Sequence, residues 1–445
     1  MSLTSAPVKK KPNVAKPQRS TAFRALRHRN YKLWFFGQGL SLIGTWMQSM
    51  AQQVLVYRLT GSASALGIVS FMTVLPLVPL ALWGGSLSDR VSKRNLLLVT
   101  QTLMLLQAIL LAVLTWTGAV EIWHVYLMAF LLGAFKAVDT PARHSFVVEM
   151  VEGKDDLTSA IGLNSAIQNG AKTLGPALAG VFVALTGEGT AFFVNSLSFL
   201  AVIISLLAMQ GLPQPPVHPQ EKMDALTHTL EGVRFVFGQQ TLLILMSLVA
   251  VSSFLSKPYQ TLMPVFADVN LKESAKPVIA FLCNREHAML NCRAPEALPL
   301  GLLLAAVGIG AVFGALLVAS LPEHARRGWV LTLGNLSFPL FLLIFVVSNS
   351  MLLSLLLMAL TGLTRVMQFA MSNTLLQITA PDALRGRVMS FYSLVSQGMT
   401  HLGGLQAGFA ADWVGAPISI GVGAAVSLSY GAFVALRYRQ VRNLV

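Results

Sequence analysis

Apolar residues come in long unbroken runs along this chain, and the polar residues between them come in short bursts. "ALGIVSFMTVLPLVPLALW" (65–83) and "LLLVTQTLMLLQAILLAVLTW" (96–116) flank "GGSLSDRVSKRN" (84–95), one small turn with one acid and three bases. Each run has about the 20 residues that an α-helix needs to cross a hydrocarbon core. No window alternates polar and apolar at period two, as a membrane β-barrel strand would. Counting such runs predicts twelve spans, near 33–57, 63–87, 95–117, 122–140, 158–185, 189–209, 241–266, 298–320, 328–347, 350–376, 388–411 and 416–436. The expected fold class is therefore an all-α polytopic membrane protein.

Composition narrows the class further. The 445 residues are 54% hydrophobic and 11% charged, with a net charge of +14, whereas soluble domains carry roughly 25% charged residues. The basic balance does not imply nucleic acid, because the bases sit in short loops and at the ends instead of forming one face. They mark sidedness instead. The leading tail and the loops after spans 2, 4, 8 and 10 are basic, with Arg143 and Lys154 in the loop after span 4; "TGAVE", "TGEGT", "VSNS" and "WVGAP" on the other side hold no base. Both termini are expected in the cytoplasm, in a bacterial inner (plasma) membrane. The longer loop 267–297 is the exception, with Lys272, Lys276, Arg285 and Arg293. Residues 1–32 read as a basic tail and a juxtamembrane helix at anionic lipid, not as a signal peptide.

The longest polar interruption divides the spans into two sixes. The expected organisation is a tail (1–32), a six-helix half (33–210), a cytoplasmic linker (211–240), a second half (241–436) and a basic tail (437–445). "SLSDRVSKR" (86–94) aligns with "SLPEHARRG" (320–328), pairing Leu87 with Leu321, Asp89 with Glu323 and Lys93 with Arg327. Parallel six-span repeats are a transporter architecture with the substrate site between the halves near mid-membrane.

On these residues the chain resembles the major facilitator superfamily, whose loop after span 2 reads G-x-x-x-D-R-x-G-R/K-R/K. Gly85, Asp89, Arg90, Lys93 and Arg94 match it, with Ser92 where the family prefers Gly. "FRALRHRNYKLWFFGQGLSLIGTWM", "DTPARHS", "LGPALAG" and "APDALRGRVMSFYSLVSQG" are similar to the drug:proton antiporter branch that holds the enterobactin exporter and macrolide efflux proteins. The resemblance implies a two-half, twelve-helix secondary exporter working by alternating access. It also implies a latch that joins the halves when the cytoplasmic side is shut. Asp89 ends a helix there, and span 11 begins nearby just after Arg385 and Arg387, with unpaired N–H groups and positive partial charge. Gly85, Asp89, Arg90, Lys93, Arg94, Glu323, Arg327, Arg385 and Arg387 are the latch candidates. The bases also serve as topology signals, which is their plainer reading.

Polar stripes on single helical faces mark where a substrate would sit. Candidates are Gln38, Thr45, Gln48 and Gln52 on span 1, Gln168 and Lys172 on span 5, Lys257 on span 7, Arg365 and Gln368 on span 10, and Gln397 on span 11. Hydrogen bonding between helices is the alternative for each Gln and Thr. Lys172, Lys257 and Arg365 are deep, while Asp139, Asp268 and Asp412 lie towards the membrane edges, so the cavity is expected to be positive and suited to anionic or catecholate-like molecules. A small-molecule substrate, protons and membrane lipids are the expected partners, and a monomer the expected state.

Gly175, Pro176 and Gly180 resemble the antiporter signature of span 5, which points to export; close packing by small residues explains them equally. The Arg that many drug antiporters carry in span 4 is replaced by Ala129. Proton coupling is implied by the resemblance, with Asp139 and His401 as the titrating groups. A lipid flippase, an importer, or a non-transporting receptor or assembly factor on the same scaffold would share much of this pattern. No cofactor, metal or catalytic role is expected, since no cluster has metal-ligand spacing and no phosphate-binding loop is present. Cys283 and Cys292, in the loop 267–297, are either a disulfide or two free thiols.

Overall fold

The computed structural model describes residues 21–77, 79–80, 91–211, 225–283, 294–322 and 325–444. Every regular element among them is helical. Twelve long helices follow the predicted runs: α1 (Arg29–Thr60), α2 (Ala63–Val74), α3 (Lys93–Trp116), α4 (Ile122–Glu149), α5 (Lys154–Thr186), α6 (Glu188–Leu207), α7 (Gln240–Asn270), α8 (Ala297–Ala319), α9 (Arg327–Val346), α10 (Met351–Thr379), α11 (Arg385–Val414) and α12 (Ala416–Arg437). Eight of these are long and apolar enough to cross a membrane. The remaining ones are α1, α5 and α11, which carry polar stripes as α7 and α10 also do, and α2, whose described part is short. Helices that are apolar all round face lipid; striped helices face something polar.

Two expectations need correction. Span 4 was expected to end near residue 140, with Arg143 in the following loop. Helix α4 instead runs through Pro141 to Glu149. The proline costs one ladder bond, that to the Ala137 carbonyl, yet the helix continues, and Arg143 stays in it to pair with Asp139 at 2.9 Å. Second, the loop 267–297 is not wholly a loop. Helix α7 extends to Asn270 through a widened turn at 266–270, and a further helix covers Lys272–Cys283. Lys276 and Glu273 pair along it at 2.5 Å. Cys283 at its end is disulfide-bonded; Cys292 lies outside the described residues.

Helices α1–α6 pack with one another, as do α7–α12, and the two groups meet chiefly where α2 lies against α11 and α5 against α8. These two contacts are equivalents under exchange of the halves. Glycine sets how close they come. A Cβ on Gly180 would sit 2.6 Å from the Gly301 Cα, and one on Gly408 would sit 2.6 Å from the Ala63 carbonyl oxygen. Both contacts belong to the distal end, opposite the terminal end at which α1 begins and α12 ends. Towards the terminal end, Gly162 and Gly170 on α5, and Gly386 and Gly398 on α11, meet nothing within 4 Å.

Candidate functional site

Above the distal contacts, the faces of α5 and α11 towards the terminal end are exposed. Three cations lie at mid-helix. Lys172 on α5 is exposed, and Lys257 on α7 and Arg365 on α10 are half-buried. They lie close enough to act on one another's charge. Lys172 Nζ sits 5.8 Å from the Trp46 ring centre, and Lys257 Nζ 5.2 Å from that of Phe369. An aromatic face attracts a cation without neutralising it. None of the three has a carboxylate partner among the described residues, and the Arg365 Nε is buried with no hydrogen bond. Three unneutralised cations at membrane depth are costly, so the arrangement is one that an anion would complete.

Local backbone places Lys257. Helix α7 widens into a π-turn over 252–256, followed by Pro258. Such turns free a backbone carbonyl and commonly mark functional positions. The hydroxyls of Ser253 and Ser256 on this segment, and of Thr361 and Ser372 on α10, are buried without partners among the described residues. Ser256 carries no signal in the sequence, because a π-turn shifts the register that a 3.6-residue period assumes.

The glutamines divide. Gln48 is buried; its amide donates to Gln107 on α3 at 3.2 Å, and its carbonyl accepts from Asn195 on α6 at 2.6 Å. Gln368 does the same in the other half, donating to Asn335 on α9 at 2.7 Å and accepting from Ser252 at 3.1 Å. Both spend their hydrogen bonds between helices. Gln38 and Gln52 are buried, Thr45 and Gln168 half-buried, and Gln397 is exposed on the open side with its amide on Ser393 Oγ at 3.0 Å.

His401 and Asp139 occupy different settings. His401 Nδ1 shares a 2.8 Å hydrogen bond with Ser70 Oγ across the α2–α11 contact, and Lys257 and Lys136 are its charged neighbours. Asp139 is fully buried, accepting from Thr100 at 3.0 Å and Gln101 at 2.8 Å besides pairing with Arg143. Thr100 and Gln101 went unnoticed in the sequence because nothing marks which polar residues of α3 face α4; the four-residue spacing of Asp139 and Arg143 was the available clue.

Gly175 lets α5 close on α1, since a Cβ there would lie 2.4 Å from that of Trp46, while Gly180 meets Gly301 and the Pro176 carbonyl faces the same glycine. Of the latch candidates, Gly85, Asp89, Arg90 and Glu323 lie outside the described residues. Lys93 pairs with Glu149, and Arg94 donates to the Leu206 and Leu207 carbonyls at 2.8 and 3.0 Å. Arg385 pairs with Asp382 at 2.5 Å, Arg387 with Glu231 on the helix Ala225–Gly238, and Arg327 opens α9. Each named contact stays within its own half or joins it to the linker.

The family described as transmembrane secretion effector matches residues 20–443. The chain is 25% identical over 386 residues to the staphyloferrin A transporter of Staphylococcus aureus, covering 86% of this chain and 90% of that protein. It is 22% identical over 388 residues to the enterobactin exporter EntS of Escherichia coli O81, covering 85% and 86%. Among solved structures, the nucleoside transporter NupG superposes with a TM-score of 0.66 at 14% identity, over 93% of this chain and 99% of that one. The relatives are transporters and not enzymes, as the residue pattern implied.

Proposed function

Because the chain belongs to the major facilitator superfamily, as a transmembrane secretion effector related to siderophore transporters, we propose that it exports a small anionic, siderophore-like molecule across a bacterial inner membrane in exchange for protons. The observation that carries the reading is the cation cluster: Lys172, Lys257 and Arg365 lie at mid-helix within reach of one another's charge, with no carboxylate to balance them among the described residues. A ligand with two or three carboxylates, or ionised catecholates, supplies that balance, and the planar guanidinium of Arg365 suits bidentate pairing with a carboxylate. In this reading both termini are cytoplasmic, 33–210 and 241–436 are the halves, and the described state is open to the cytoplasm and sealed outside.

The substrate-facing groups are then Lys172, Lys257, Arg365, Gln168 and Gln397, with Gln38, Thr45 and Gln52 along the α1 face and Gln48 and Gln368 holding the helices that frame it. Asp89 with its neighbours latches the cytoplasmic side in the opposite state, and His401 and Asp139 are the groups for proton exchange. Everted membrane vesicles test the whole reading. A proton gradient should drive uptake of a labelled polycarboxylate or catecholate siderophore, and Lys257→Gln and Arg365→Gln should each weaken it about tenfold, while a neutral analogue should lose much less in either variant. Gradient-independent movement would remove the antiport, and equal losses for anionic and neutral cargo would remove the electrostatic role.

A further inference from the structure

Asp412 near the end of α11 reaches across to the other half. Its carboxylate accepts from Ser62 Oγ at 2.8 Å, the Ala63 backbone N–H at 2.7 Å and the Ser64 backbone N–H at 3.0 Å. The last two belong to the first turn of α2, where the helix has no carbonyl of its own to offer them. An anion there also meets the positive end of the helix dipole. Ser62 is the N-cap of α2 in its own right, accepting from Ala65 N–H at 3.3 Å. Asp412 therefore completes a cap that α2 only half supplies.

The backbones beside it are in contact. Gly408 faces Ala63, and a Cβ on Gly67 would lie 2.7 Å from the Gly404 carbonyl oxygen. Gly408 and Asp412 carry the spacing G-x-x-x-D, and so do Gly85 and Asp89. Three residues on stand Gly415 and Ser92. Each segment thus brings an aspartate towards a helix start in the opposite half: Asp412 to that of α2 and, in the latch reading above, Asp89 to that of α11.

We infer that Asp412 is a distal latch, the counterpart of the one proposed at Asp89, and that transport alternates between the two. Opening the distal side breaks three hydrogen bonds at once, yet Asp412 is exposed, so water replaces them on both partners. That makes a latch strong enough to define the closed state and weak enough to release every cycle. The distal latch stands on the contacts just described; only its alternation with Asp89 rests on the proposed function.

Spin labels at Leu59→Cys on α1 and Ile418→Cys on α12, both exposed near the distal end, report its opening in purified full-length protein without any cargo. Asp412→Asn should raise the population at the longer distance about tenfold, and Ser62→Ala about threefold in the same direction. Unchanged distances in both folded variants would overturn the latch. If Asp412→Asn fails to yield a single species with native helix content, Ser62→Ala decides on the same two outcomes. Because no substrate enters the measurement, a failed transport assay and a failed latch are told apart.

Discussion

The distal and terminal ends of the molecule hold the halves in different ways. At the distal end α2 meets α11 and α5 meets α8 through glycine, backbone on backbone, with Asp412 and the Ala294 N–H to Ala184 carbonyl bond (2.9 Å) stitched across. At the terminal end the described glycines of α5 and α11 face open space, and the described charges are held by their own side: Lys93 by Glu149, Arg94 by the α6 carbonyls, Arg387 by the linker helix. Small residues make a contact that is tight when formed and costs nothing when broken. Charged residues make one that can be handed from a partner in the other half to a partner at home. In the proposed alternation between two open ends, each kind of contact has its use.

The comparison breaks most readily at Gly180. Overpacking a close contact typically costs about 1–3 kcal/mol, and more against backbone. Gly180→Val should therefore prevent distal closure and cut vesicle transport more than tenfold, with membrane insertion unchanged. Gly162→Val lies on the same helix in open space and should keep near-normal flux. Equal losses at the two positions would show that glycine serves helix flexibility and not the seal.

At the other end the expected effect is smaller. An anion at a helix N-terminus contributes roughly 0.3–1 kcal/mol, so Asp89→Asn should reduce transport about two- to fivefold while expression stays normal, since sidedness is set by the bases. Flux equal to that of the native chain would sink the terminal latch.

Gln48 sharpens the contrast between framing and lining. Replacing it with Leu leaves Gln107 and Asn195 each short of a partner, and interhelical bonds in membranes average about 0.6 kcal/mol. The thermal midpoint in detergent should fall by a few degrees while KM for the cargo holds. A KM change with no loss of stability would return Gln48 to the cavity.

Most helix positions could be read from the sequence because lipid demands long apolar runs, and a run has visible ends. What could not be read is which way a polar residue turns. Gln48 and Gln168 look alike in a polar stripe, yet the first bonds its neighbours between helices. Lys172, Lys257 and Arg365 were legible as a set because charge at membrane depth is rare enough to be informative by itself. The end of α4 was misjudged because Pro141 normally ends a helix, and the ion pair that carries the helix past it depends on α3. Asp412 was expected towards a membrane edge, but its partner Ser62 is 350 residues away in sequence, and no local pattern reports such a contact.

The smallest effect concerns the clip between the leading 3-10 helix (Thr21–Arg27) and α5. Asp156 bonds His28 Nε2 at 2.8 Å and pairs with Arg24 at 3.0 Å, while Arg24 also reaches Asp155 at 3.1 Å. The His28 hydrogen bond, followed by the Arg24 and Arg27 charges, holds the Asp156 carboxyl below its usual range. A carboxyl whose pKa is depressed on folding adds stability that is fully present above its unfolded value of about 3.9 and is lost as the pH falls through the folded value. The clip should therefore be intact at neutral pH and open only in strong acid. Amide exchange over residues 21–28, corrected for intrinsic rates, checks the sign: Asp156→Asn should exchange a few-fold faster than the native chain at pH 7, and the two should converge as the pH falls through the depressed folded value. Equal protection at pH 7 would mean that the segment is held by Tyr31 on the Ala160 carbonyl (2.9 Å) and Ala25 on Ser159 (3.2 Å) alone, with the ion pairs adding nothing measurable, as exposed pairs often do.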